Sequence, residues 1–227
     1  MDGARAASGQ SLHSVPCASF MKSFVKTPWW LKKLFPKRVW SIDTREKEIY
    51  LTFDDGPHPT VTPFVLDQLK KYGATATFFC IGKNAAAHPA IYQRLLEEGH
   101  QPGNHTQNHL NGWDTDTATY LADAKAASTH IRSRLFRPPY GRMRSAQARG
   151  LADYNIIMWD VLSGDFDVSL SKEDCLANVI KHAGPGSVIV FHDSEKAFPR
   201  LQYALPGALE HFANAGFRFK SIPVKEK

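Results

Sequence analysis

From residue 48 onward the chain alternates short β-branched and aromatic runs with amphipathic stretches, and such sustained alternation leaves few folds open. Strand-like runs fall at 48–53, 76–81, 100–103, 135–137, 156–159, 187–191 and 217–221. Helical patterns lie between them, at about 89–98, 116–131, 145–154, 171–183 and 201–215. An earlier one begins with Thr62 as N-cap and Pro63 at the first helical position, and Gly73 stops it. Strands separated by helices imply parallel pairing. Seven of them in one unit predict an open doubly wound sheet or an incomplete barrel.

The unusual polar residues share one position in this pattern. Asp54 and Asp55 follow the first run, His105 and His109 the third, and Arg137 to Gly141 the fourth. Asp160 and Asp165 follow the fifth, and His192 and Asp193 the sixth. All are expected just past the C-terminal ends of strands, where sequence-distant loops of a β/α barrel converge on an active site.

Their chemistry fits a metal-assisted hydrolytic site. One carboxylate and two imidazoles make a ligand set with open positions, and a second carboxylate is left over as a base. Asp54-Asp55-Gly56-Pro57 also reads as turn chemistry. Two adjacent carboxylates repel, however, unless a cation or guanidinium compensates. His105 and His109 are four apart and would face one way on a helical turn. Arg137-Pro138-Pro139-Tyr140-Gly141 is a stiff segment suited to presenting one backbone N–H. Asp165 and His192 suit an orienting carboxylate and a general acid. The other histidines are expected at the surface, at caps or in the core, His58 least securely. Trp159, within a strand, is expected in the core.

Charge is uneven along the 227 residues. Up to residue 40 there are seven basic residues against Asp2 alone; beyond it 21 basic residues meet 21 acidic ones. The net charge of +6 therefore belongs to the N-terminal segment, and the remainder carries no footprint of a nucleic-acid binder. Residues 22–40 mix Trp29, Trp30, Leu31, Leu34, Phe35 and Trp40 with six cations. They read either as a plug for the barrel or as a peripheral membrane contact. Residues 1–20 look disordered, and Met21 is an alternative start. Neither a signal peptide nor a membrane span is read. Three cysteines without close spacing suggest no disulfide framework.

Thr52 to Pro57, His105 to His109, Arg137 to Gly141, Trp159 to Phe166 and Val190 to His192 resemble, in order, the five motifs of the polysaccharide deacetylases. This is the NodB-homology group, the fourth carbohydrate esterase family. The resemblance covers about residues 45–223. It implies an α/β fold, a distorted, incomplete (β/α) barrel of about seven parallel strands. Residues 1–20 would be a tail, 21–44 a basic aromatic segment packing on the barrel, and 45–223 the catalytic domain. Two motif positions depart from the family pattern, Phe166 for a usual Trp and Val190 for a usual Leu.

By this resemblance Asp55, His105 and His109 match the metal ligands and Asp54 the general base. Arg137 matches the base's partner, Tyr140 the oxyanion donor through its backbone N–H, His192 the general acid and Asp165 its orienter. Tyr140, Trp113 and Phe166 are candidate sugar contacts. The implied activity is removal of N-acetyl groups from N-acetylglucosamine-containing glycans of peptidoglycan or chitin type, releasing acetate. An O-acetyl esterase and a non-catalytic carbohydrate binder are the alternatives. Zinc is the expected metal, with cobalt or nickel acceptable to the same donors. The expected partner is an N-acetylated glycan and the expected state a monomer. The compartment, cytoplasm or cell envelope, is left open.

Overall fold

The computed structural model describes residues 24–224. The expected tail at 1–20 and the alternative start at Met21 lie outside the described residues. The elements run α1 (Trp29–Leu34), β1 (Glu48–Asp54), α2 (Val61–Lys71), β2 (Thr77–Cys80), α3 (Gly82–Ala87), α4 (Pro89–Glu97), β3 (Gln101–Asn104), α5 (Thr117–Ala127) and β4 (Leu135–Phe136). A 3₁₀ turn at Pro139–Gly141 follows, then α6 (Ser145–Gly150), β5 (Asn155–Ile156), β6 (Val161–Leu162), α7 (Lys172–His182), β7 (Val188–His192), α8 (Phe198–Asn214) and β8 (Arg218–Phe219). Seven strands lie side by side in the order β5-β4-β3-β2-β1-β7-β6, and β8 pairs with β1. Every strand pair is parallel. This is the expected distorted, incomplete (β/α) barrel.

β1 is buried along its whole length, and its two faces do different work. Ile49, Leu51 and Phe53 join the core beneath the helices, with Val65, Leu66 and Leu205. Alternation sends Tyr50, Thr52 and Asp54 the other way, into the barrel. There Tyr50 packs with Phe79, Leu135, Ile157 and Val188. A carboxylate at the end of this inward row is thereby aimed at whatever caps the barrel.

The run expected as one strand at 156–159 is instead a crossing between two edges. Ile157 N–H donates to Phe136 O and Asp160 N–H to Val188 O, so four residues carry the chain from β4 to β7. The N-terminal segment stitches this gap. Val39 N–H donates to Ile156 O, Met158 N–H to Val39 O, Thr27 N–H to Asp160 O and Leu162 N–H to Val25 O. Asp160 is therefore not at the site end. It accepts from Lys26 Nζ (2.5 Å), Lys32 Nζ (2.6 Å) and Ser187 Oγ (2.7 Å), at the start of β7. Burial would raise its pKa, but these donors win and hold it below the ordinary value. Among the described residues, no helix is long and apolar enough to cross a membrane.

Candidate active site

Parallel register brings the motif residues level. Asp54 stands beside Phe79 on β2 and His192 on β7; Asn104, next to His105, stands beside Phe136, next to Arg137. The loops leaving these strands surround a cavity of about 450 Å³. Asp54, Asp55, His105, His109, Tyr140, Phe166 and His192 all line it. So do Asn111, Arg142, Trp159, Leu162, Val190 and Lys196.

Asp55, His105 and His109 place one donor atom each within 4.8 Å of one another. Asp55 Oδ1 is 3.2 Å from His109 Nε2 and 3.7 Å from His105 Nε2. The histidines do not share a helical turn as expected. Residues 105–109 form an irregular loop in which Thr106 (φ 63°) and His109 (φ 58°) are left-handed. Convergence comes from this backbone path. Thr106 N–H is held by Asn104 Oδ1 (2.8 Å), and Gln107 and Asn108 N–H by Asp123 Oδ2 (2.9 and 3.0 Å).

The donors suit a cation. His105 Nδ1 lies 2.7 Å from Arg137 O, a carbonyl that can only accept, so Nδ1 carries the proton and Nε2 offers its lone pair to the cluster. Burial pushes both imidazole pKa values down, His105 well below the usual value, and keeps the rings neutral. Asp55 Oδ1 is buried without a hydrogen-bond partner. Lone pairs facing an orphaned carboxylate oxygen are costly unless a positive charge sits among them.

Asp54, on the inward row of β1, meets Arg137. The guanidinium is fully buried and lies 4.1 Å from the Phe79 ring centroid. Its nitrogens donate to Asp54 Oδ1 (2.6 Å), Thr52 Oγ1 (2.7 Å), Met158 O (2.9 Å) and Ile157 O (3.3 Å). Burial pushes the Asp54 carboxyl up, against the pull of Arg137 and His192.

His192 is gripped twice by Asp165, through its backbone N–H (2.7 Å, Oδ2) and Nδ1 (2.8 Å, Oδ1). Nε2 is thus the ring atom left toward the cavity. Burial would lower its pKa, but the charge of Asp165 and then of Asp55 and Asp54 lift it to about 9. Arg200, which sequence reasoning passed over, donates from Nε to Asp165 O (2.6 Å). Phe166 meets the His192 ring edge-on at 5.1 Å.

Tyr140 sits in the 3₁₀ turn with φ 60°, a left-handed conformation flanked by the turn hydrogen bonds from Gly141 N–H to Pro138 O (2.9 Å) and from Arg142 N–H to Pro139 O (3.1 Å). Its ring packs on His109 at 4.6 Å and is 57% exposed. Trp113 stands behind the cavity wall with the Arg142 guanidinium 5.0 Å from its ring. Trp159, expected in the core, does pack against the barrel-interior cluster, and it also forms a wall of the cavity. Gly141 (φ 68°) makes room for it, since a Cβ there would lie 2.5 Å from the indole. His58 proves to be a cap, its Nδ1 accepting from Thr60 and Val61 N–H (3.2 Å each). Thr62 is not an N-cap. It lies inside α2, and its hydroxyl reaches Asp193 instead (2.5 Å).

A half-closed β/α barrel with a carboxylate–imidazole cluster, a second carboxylate and a buried imidazole–carboxylate pair at its strand ends is the architecture of a metal-dependent hydrolase. The chain belongs to the polysaccharide deacetylase family, whose model matches residues 41–158. It is 35% identical over 192 residues to a peptidoglycan-N-acetylglucosamine deacetylase of Bacillus cereus, covering 81% of this chain and 90% of that one. It is 34% identical over 161 residues to a chitooligosaccharide deacetylase of Azorhizobium caulinodans, covering 67% and 76%. In three dimensions it resembles a crystal structure of a peptidoglycan N-acetylglucosamine deacetylase, with TM-score 0.77, 29% identity, and 87% and 95% of the two chains covered.

Proposed function

We propose that this chain removes N-acetyl groups from N-acetylglucosamine residues of a peptidoglycan- or chitin-type glycan, releasing acetate. The observation that carries the reading is the convergence of the Asp55–His105–His109 cluster, Asp54 and His192 on one cavity. The names of the relatives supply the substrate class. Asp55, His105 and His109 would hold a divalent ion, zinc by preference and cobalt or nickel by the same donors. When bound, such an ion supplies Lewis acidity and an acidified water.

The remaining work falls to the chain's own groups. Asp54 accepts the proton of the attacking water, and Arg137 keeps this carboxylate aimed while its charge opposes the rise that burial imposes. The Tyr140 backbone N–H is offered to the oxygen on which negative charge develops. His192 Nε2 donates a proton to the departing nitrogen while Asp165 holds the ring and favours its charged form. That acid argues for an amide over an O-acetyl substrate, because an amine is the poorer leaving group. Phe166 and Tyr140 offer apolar faces to a sugar ring, with Trp113 behind Arg142.

The test is acetate release from N-acetylglucosamine oligomers by the zinc-loaded protein, beside Asp54→Asn and a chelated sample. Release by the wild type alone supports the reading. No release from any sample, with zinc bound, moves it to another acetylated glycan.

A second reading concerns partners. On α1, Trp29 is 69% and Leu34 63% exposed, beside Lys33. These residues fit peripheral contact with an anionic membrane surface through residues 22–40. Co-sedimentation with phosphatidylglycerol vesicles, lost in Trp29→Ser/Leu34→Ser, is the expected result. Equal sedimentation of both proteins removes it.

A further inference from the structure

Asp193, immediately beyond β7, is buried, and its backbone N–H and both carboxylate oxygens serve a single segment of chain. Its N–H donates to Asp54 O (3.0 Å). Its Oδ1 accepts from Gly56 N–H (3.0 Å), and its Oδ2 from the Thr62 hydroxyl (2.5 Å). The Thr62 oxygen also accepts from His58 N–H (2.7 Å), so the same hydroxyl is tied both to Asp193 and to the chain just past the turn. The carboxylate thus bridges the turn after β1 to the start of α2.

Inside that bridge lies Asp55, with φ 84°. A non-glycine residue stays in this region only where its surroundings over-determine it. Here its N–H donates to Phe79 O (3.3 Å), its C=O accepts from Asn84 Nδ2 (2.7 Å), and the next N–H belongs to Asp193. The carboxylate is pressed against Gly56, where a Cβ would lie 1.9 Å from Asp193 Oδ2. Asp193 also adjoins His192, and His192 pairs in register with Asp54. One strand end therefore carries the imidazole on one residue and the clamp on the carboxylate turn on the next.

We propose that Asp193 is a positioning residue for the reaction, holding the Asp54–Pro57 turn so that Asp55 faces His105 and His109 while Asp54 stays on Arg137. This rests on the reading of Asp55 as a metal ligand. Groups that orient ligands from behind change metal affinity by about 10–100-fold when removed.

The test uses the full chain and compares wild type with Asp193→Ala, Thr62→Val, Thr62→Ser and Asp55→Asn. The readouts are zinc affinity by competition with a chromophoric chelator, thermal unfolding, and kcat and KM separately. Asp193→Ala is expected to bind zinc about 10–100-fold more weakly, with kcat reduced and KM little changed. Thr62→Val is expected to lose part of the affinity and Thr62→Ser to restore it. A folded Asp193→Ala that binds zinc as tightly as wild type, losing only thermal stability, overturns the proposal. If Asp193→Ala does not fold, the Thr62 pair decides, and equal affinities for Thr62→Val and Thr62→Ser overturn it. Wild type and Asp55→Asn binding zinc alike would mark failure of the ligand reading itself, and the proposal falls with it.

Discussion

Arg137 Nη1 lies 2.6 Å from Asp54 Oδ1, with the guanidinium fully buried and the carboxylate exposed only at its cavity edge. The pair is separated by 83 positions in sequence. It stands in the barrel interior, where Thr52, Met158 and Ile157 satisfy the other guanidinium donors. Arg137→Ala would leave a buried carboxylate without its counter-charge, at a cost of about 3–5 kcal/mol. Urea unfolding should show that loss, and removing both partners should cost less than the sum of the two single changes.

His192→Ala should slow amide hydrolysis by about 10²–10⁴-fold. An acetylated phenol should suffer much less, since a phenolate leaves without a proton. Parallel kinetics on the two substrates check this, and equal losses on both exclude His192 as the acid.

The pH profile has a defined sign. His192 is lifted to about 9 in the fold, above an ordinary value of about 6.5. The protonated acid is therefore present below that value and lost as pH rises through it, so amide hydrolysis should fall on the alkaline side. Its contribution to stability is likewise complete below about 6.5 and gone above about 9. A cation on Asp55 cancels part of the lift and moves the limb to lower pH. Asp165→Asn removes the largest raising charge and should move it further. Rate–pH curves of both proteins test the shift.

Chelation should abolish acetate release, and zinc, cobalt or nickel should restore it to different extents. The orphaned Asp55 Oδ1 supplies a second expectation. Metal binding should raise the unfolding temperature of the wild type and leave Asp55→Asn nearly unmoved, as a thermal melt with and without zinc will show.

Deleting Met1–Arg38 removes both lysines from Asp160 and the hydrogen bonds of Val25 and Thr27 along the β6 side. The truncated chain should lose its cooperative unfolding transition. A truncated protein that unfolds cooperatively and lacks only vesicle binding would instead make the segment an anchor. In the intact chain Asp160 titrates below its ordinary value. Its contribution is present above about 4 and lost as pH falls through the lower folded value, a decline that Asp160→Asn should remove from an acid-unfolding curve.

The parallel alternation, and the placing of Asp54, Asp55, His105, His109, Arg137 and His192 at strand ends, were readable from the chain because strand periodicity and turn chemistry are local. Local patterns misjudged residues whose partners are distant. Thr62 resembles a helix cap, yet its hydroxyl goes to Asp193, 131 positions away. Trp159 resembles core and packs against it, yet it also walls the cavity, where Gly141 lets it approach. The histidine pair resembles a helical turn, yet a carboxylate from α5, Asp123, shapes it as a left-handed loop.

By itself the sequence determined the class of fold and the inventory of reactive groups, since both follow from periodicity and residue type. Only the tertiary structure decided which lone pair each group presents. Parallel register sets the level at which Asp54 meets His192. Arg137 O sets the tautomer of His105, Asp165 holds His192 in its protonated form, and burial keeps the His105 ring neutral. Hydrogen bonds and desolvation across tens of residues act through space, and no local pattern in the chain carries them.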